Sequence, residues 1–124
     1  LQVDNDGRCF DPINSPGTWN VNPAFSPIHT QSPHADNPGA PAGASNGGMD
    51  DRFDFMLTSA ALLDGLGTSY MTGTYKTYGN DGSHFNKDIN DAPTIPEGAA
   101  IANALHACSD HMPLVMQIQL PTLP

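Results

Sequence analysis

Hydrophobic and polar positions alternate most cleanly over residues 51–58, DRFDFMLT, where Phe53, Phe55 and Leu57 point one way and Arg52, Asp54 and Met56 the other. A period of two predicts a strand with an apolar face. Three more segments carry strand signals. Residues 25–31 (FSPIHTQ) read as a short strand that Pro27 pushes to an edge. Residues 69–78 (SYMTGTYKTY) are β-branched and aromatic. In residues 114–120, Leu114, Met116, Ile118 and Leu120 face one side and Gln117 and Gln119 the other.

The helical signal lies in TIPEGAAIANALHAC. Thr94 is placed to cap, Glu97 follows three residues later as in a capping box, and Pro96 falls in the first turn, where its missing N–H is harmless. Ile101, Leu105 and Cys108 would then share one face, leaving His106 on the exposed side. Breakers fill the intervals. Residues 1–23 are turn-rich, SAALLDGLG suggests one helical turn closed by Gly65, and GNDGSHFNKDIND is a turn-dense connection. Residues 32–48, SPHADNPGAPAGASNGG, have no periodicity and read as a flexible Gly/Pro-rich loop. There is no internal repeat. The expected architecture is loop-rich α/β, with short antiparallel strands and one clear helix.

Composition sharpens this picture. The chain has 124 residues, room for one domain with one core, and Gly and Pro supply 12 each. Thirteen acids against four basic residues give a formal charge of −9, and every acid but Glu97 is aspartate. Such a chain is repelled by bare nucleic acid, because non-specific binding comes from Lys and Arg neutralising phosphates. A phosphate-bearing substrate would therefore need a divalent cation or a basic surface from outside the chain. Arg8, Arg52, Lys76 and Lys87 are too scattered to make one.

No stretch approaches the ~18–20 apolar residues of a membrane span. The sequence opens at Leu1 rather than Met, which suggests a processed product whose targeting segment is gone. The aspartate-, asparagine- and glycine-rich, lysine-poor composition leans towards a secreted, extracellular home. Cys9 and Cys108 are the only cysteines, and spacing alone leaves open whether they pair.

Candidate chemistry concentrates near the C-terminus, in CSDHMPLVMQIQLP. A protonated His111 could donate to a phosphate oxygen as negative charge builds, with Asp110 beside it to hold a divalent cation or a water. Alone, the pair also reads as an exposed turn. Asp54 adds weight, because on an apolar strand its carboxylate must find a partner or face a cleft. An aspartate that accepts from a histidine ring nitrogen fixes the tautomer and supports the imidazolium. A salt bridge to Arg52 or a strand-end hydrogen bond would explain Asp54 as well. His84 and Asn86 could line a groove or stabilise a turn, and His29 and His34 would be solvated beside the loop. Trp19 reads as a loop anchor, and Tyr70, Tyr75 and Tyr78 as packing residues with one polar end.

Taken in order, DDRFDFMLTS, YGNDGSHFN and CSDHMPLVMQIQL resemble the C-terminal half of the endonuclease/exonuclease/phosphatase superfamily, which includes deoxyribonuclease I, abasic-site endonucleases, inositol phosphatases and sphingomyelinases. FDPIN, PGTWN and IHTQS resemble a secreted bacterial branch of it. The resemblance implies part of a four-layer α/β sandwich and a divalent cation, usually Mg²⁺, with Mn²⁺ or Ca²⁺ as alternatives. It implies that His111 contacts the scissile phosphate, that Asp54 orients His111, and that Asp110 lies on the metal or attacking-water side. Ser109 would form the turn of the same motif. Thr30 would stand near the cleft; Asn86, from its own place in GSHFN, is a further candidate for contact with substrate.

The family's metal-binding glutamate, its early asparagine and its Gly-Asp-x-Asn segment belong to an N-terminal half that has no counterpart here. The expected function is thus the C-terminal portion of a secreted, metal-dependent phosphodiesterase or nuclease. Its partners would be the N-terminal half of the same domain and a phosphodiester substrate such as extracellular DNA. The alternative is a non-catalytic, processed extracellular fragment acting as an assembly or binding module, since half a sandwich carries an open sheet that invites self-association. A calcium module built on the aspartate turns is a third reading, though DNDG lacks the spacing of a calcium loop.

Overall fold

The computed structural model describes residues 7–36 and 40–121. They form a loop-rich α/β arrangement with one α-helix, four two-residue strands and two short 3₁₀ helices. The strands are β1 (Ser69–Tyr70), β2 (Lys76–Thr77), β3 (Leu114–Val115) and β4 (Ile118–Gln119), and the helix is α1 (Ala99–Cys108). The chain divides into two compact units, one built from residues 7–16, 55–75 and 115–121 and the other from residues 17–54 and 76–114.

In the first unit β1 and β4 pair antiparallel, Ser69 opposite Gln119 and Tyr70 opposite Ile118. A bridge joins Phe10 to Thr58, each amide donating to the other's carbonyl at 2.8 and 2.9 Å. Tyr75 is buried, and its hydroxyl accepts from the Met56 amide while its own amide donates to the Tyr70 hydroxyl. These are the packing tyrosines with a polar end that the sequence suggested.

The second unit holds the core. Met49, Ile89, Ile95, Ala102 and Met112 are buried together, with Ile101 and Leu105 packed against them. Burying each large apolar side chain is worth about 1.5–3 kcal/mol, so this cluster organises the unit. Helix α1 contributes Ile101 and Leu105, as the periodicity predicts, together with Ala102, but Cys108 is exposed. Cys9 and Cys108 are both free thiols.

Several expectations need correction. Residues 25–31 are not a strand, because Pro23–Ile28 form a 3₁₀ helix. Asn22 caps it by accepting from the Ala24 amide, Pro23 suits its first turn, and the Asn80 amide donates to the carbonyls of Ser26 and His29 at its end. The capping box at Thr94 is absent. Helix α1 is entered through Gly98, whose φ of +93° no helical residue adopts, so Glu97 lies outside the helix and its Oε1 sits 3.4 Å from Lys76 Nζ.

The long strands at 69–78 and 114–120 are each broken into two pairs of residues, the first around a turn at Gly73. Residues 51–58 form only bridges at their two ends, Asp51 with Gln31 and Thr58 with Phe10. Their period of two is real, but its sides are reversed. Arg52 and Thr58 are buried, while Phe53, Phe55 and Leu57 are exposed.

The loop at 32–48 is tied down at its base. Ser32 donates to the Gly48 carbonyl, Gly48 to that of His34 and Gly47 to that of Ala35, all within 2.9 Å.

Candidate functional site

Every residue of the site belongs to the second unit. Its frame is a pair of backbone bridges that place Gln31 between Asp51 and His111. The Met112 amide donates to the Thr30 carbonyl at 2.8 Å, and the Thr30 amide to the Asp51 carbonyl at 2.7 Å. Segments distant in sequence are thereby laid side by side. Thr30 is fully buried, and its hydroxyl oxygen accepts from the amides of both Phe53 and Asp54, at 2.9 and 3.1 Å. Expected at the cleft, Thr30 instead sits behind Asp54 and fixes that residue's backbone.

With its backbone held, Asp54 aims at His111. Asp54 Oδ2 accepts from His111 Nδ1 at 2.8 Å, across 57 positions of sequence. Both side chains are partly open to solvent, 35% for Asp54 and 41% for His111. Ser109 completes the turn that presents the histidine, its hydroxyl accepting from the His111 amide at 3.0 Å. The exposed ring of Phe53 stands 6.3 Å from the imidazole, tilted by 64°. The Arg52 guanidinium lies over the Trp19 ring at 5.4 Å.

Asp110 points elsewhere. Its Oδ2 accepts from the Ser45 amide at 2.8 Å. That bond is the main reason its carboxyl is held below the usual aspartate value, a modest burial acting in the opposite direction. Asp110 therefore fastens the far end of the 32–48 loop in this structure. Replacing it by alanine should speed hydrogen exchange at the Ser45 amide about tenfold or more, because a hydrogen bond to a charged acceptor is worth ~1.5–3 kcal/mol. An unchanged Ser45 exchange rate would show that the carboxylate does not hold the loop.

Asn86 is not brought to this group. It occupies a turn with φ +54°, its amide donating to the Met49 carbonyl, and among the described residues no hydrogen bond joins it to His111, Asp54 or Asp110. Nor do the described residues make a metal centre, since no three His, Cys, Asp or Glu side chains among them group to hold an ion. Asp110 is a single carboxylate already engaged by Ser45, so a divalent cation would need most of its ligands from elsewhere.

The solvated rings expected of His29 and His34, and the exposed position expected of His106, need correction. His29 and His34 are fully buried. His29 Nε2 donates to the Trp19 carbonyl at 3.0 Å, and His34 Nε2 donates to the carbonyl of His106. His106 lies on a largely buried side of α1, with Nε2 at 3.0 Å from Asp88 Oδ2 and its ring edge-on to that of His34. His84 is buried too, bonded to Ser83 and to the Asp91 carbonyl, and so stabilises the turn.

One member of the group escaped the sequence reading. Gln31 places its side-chain nitrogen 3.0 Å from His111 Nε2, on the ring edge opposite Asp54. Its only signal was adjacency to Thr30 in IHTQ.

Comparison of the chain with protein-family models, with curated proteins and with solved structures found no match in any of the three.

Proposed function

We propose that this chain carries the His-Asp part of a secreted, metal-dependent phosphodiesterase or nuclease site. The observation that supports this most is the hydrogen bond between His111 Nδ1 and Asp54 Oδ2. It turns the opposite ring nitrogen, which Gln31 contacts, away from Asp54 and pairs the positive form of the ring with a carboxylate. A histidine so held can donate from Nε2 to a phosphate oxygen as negative charge accumulates on it. The resemblance to the endonuclease/exonuclease/phosphatase superfamily rests on the same residues and adds the four-layer sandwich to the reading.

The cation belonging to that chemistry, Mg²⁺ or a similar divalent ion, would screen the substrate phosphate, and Asp110 is the ligand this chain offers to it. Its other ligands would come from the N-terminal half of the same domain. Cleavage of DNA and of bis-nitrophenyl phosphate by the native protein in Mg²⁺, with and without His111→Ala, tests the assignment.

A second reading has its own observation. In the first unit Leu57, Leu66, Ile118 and Leu120 are 54%, 74%, 43% and 71% exposed. So much uncovered aliphatic surface on a small unit suits an assembly module built from copies of the chain. Light scattering should then show a mass that rises with concentration, and a monomer at high concentration rules this reading out.

A further inference from the structure

Gln31 has no part in the His111–Asp54 hydrogen bond, yet it contacts the other ring nitrogen. Its backbone is fixed between two neighbours, donating to the Asp51 carbonyl at 3.1 Å and bridging to His111 on the other side. The side chain therefore starts from a rigid root beside the imidazole. An amide nitrogen donates and cannot accept, whereas a carboxylate accepts and cannot donate. Gln31 and Asp54 consequently select the same neutral form of His111, with the proton on Nδ1 and the lone pair on Nε2. They grip the ring at both nitrogens.

A phosphate oxyanion needs the reverse at Nε2, a ring that has taken up a proton there from solvent, keeps its Nδ1–H on Asp54, and donates to the oxyanion. The N–H of Gln31 cannot stay against a nitrogen that itself carries hydrogen, so the carboxamide must turn away as such a ligand arrives. We propose that Gln31 is a positioning residue and a latch on the ligand-facing nitrogen of His111. In the free protein it holds the ring in place and occupies Nε2; a ligand reaches that nitrogen only by displacing it.

The proposal rests on the phosphoesterase reading and narrows its substrate class. A charge-assisted hydrogen bond is roughly twice as strong as a neutral one. An anionic phosphate ester can therefore displace the amide, and a neutral hydroxyl or carbonyl cannot.

The test uses the ¹⁵N-labelled chain, inorganic phosphate as the probe, and NMR at fixed pH, following the His111 ring nitrogens and the Gln31 side-chain amide. In the wild type both sets of resonances should move together along one binding curve. Gln31→Ala and the near-isosteric Gln31→Met, which fills the space without a donor, should both bind phosphate about three- to tenfold tighter, the gain from removing one ordinary competing hydrogen bond. If His111 responds to phosphate while Gln31 stays still, or if both variants bind as weakly as the wild type, the latch is wrong and the phosphate site stands. If phosphate moves His111 in none of the three proteins, the latch and the phosphate site fall together. The wild-type measurement decides the matter even if a variant fails to fold.

Discussion

His111→Ala should lower the rate of phosphodiester cleavage by about 10³-fold, in the range lost when a group that transfers a proton or stabilises transition-state charge is removed. The loss should fall mainly on kcat. Charge on the phosphate oxygens grows beyond its ground-state value only in the transition state, so the hydrogen bond from Nε2 counts most there. Asp54→Asn should act through the histidine. An asparagine oxygen accepts more weakly from Nδ1–H, and its nitrogen would favour the wrong tautomer. Where a buried aspartate is so replaced, the cost can reach ~10⁴-fold. Asp54 is one-third exposed and its field is screened by water, so a loss of about 10²-fold is expected here. A His111→Ala rate within a few-fold of wild type would remove the histidine from the chemistry.

The largest expected effect on stability lies beneath the site. Gly48 is buried with φ +89°, and a methyl group there would lie 2.4 Å from the Asn86 carbonyl carbon and 2.6 Å from the Lys87 nitrogen. Neither side can retreat easily. Gly48 is bonded through both its amide and its carbonyl to the base of the 32–48 loop, and the Lys87 amide is tied to the His84 carbonyl. Gly48→Ala therefore adds the strain of a left-handed backbone, about 1 kcal/mol, to an overpacking cost of about 1–3 kcal/mol. A fall in Tm of about 10 °C is expected. Gly43→Ala is the control, since Gly43 has nearly the same φ, +84°, but open space around it. It should lose only the backbone part. Equal losses at the two positions would mean that the contact with Asn86 and Lys87 is not tight.

These contrasts also show what a linear sequence can carry. The alternation in residues 51–58 announces two faces but cannot say which one is covered. In the fold, Arg52 and Thr58 turn inward while Phe53 and Leu57 face water. The helix near residue 100 is plain from its periodicity, yet its start is set by the backbone angle of Gly98, which the Thr94–Glu97 pattern does not encode. The buried histidines are harder still. Local composition marks His29 and His34 as solvated, but the fold brings the Trp19 and Met49 carbonyls to His29 and the Ser45 and His106 carbonyls to His34, and these partners allow both rings to be buried. Asp54 and His111 could be paired from sequence because both sit in recognisable segments. Gln31 could not, because its role comes from the bridge that folds it against His111.

A double-mutant cycle on cleavage by the native protein probes the coupling of Asp54 to His111 most directly. If Asp54 acts only by holding the imidazole, then once His111 is alanine, Asp54→Asn should change kcat/KM by no more than about threefold. Losses that multiply, with Asp54→Asn costing its full factor in the absence of the ring, are incompatible with a His-Asp unit at this site.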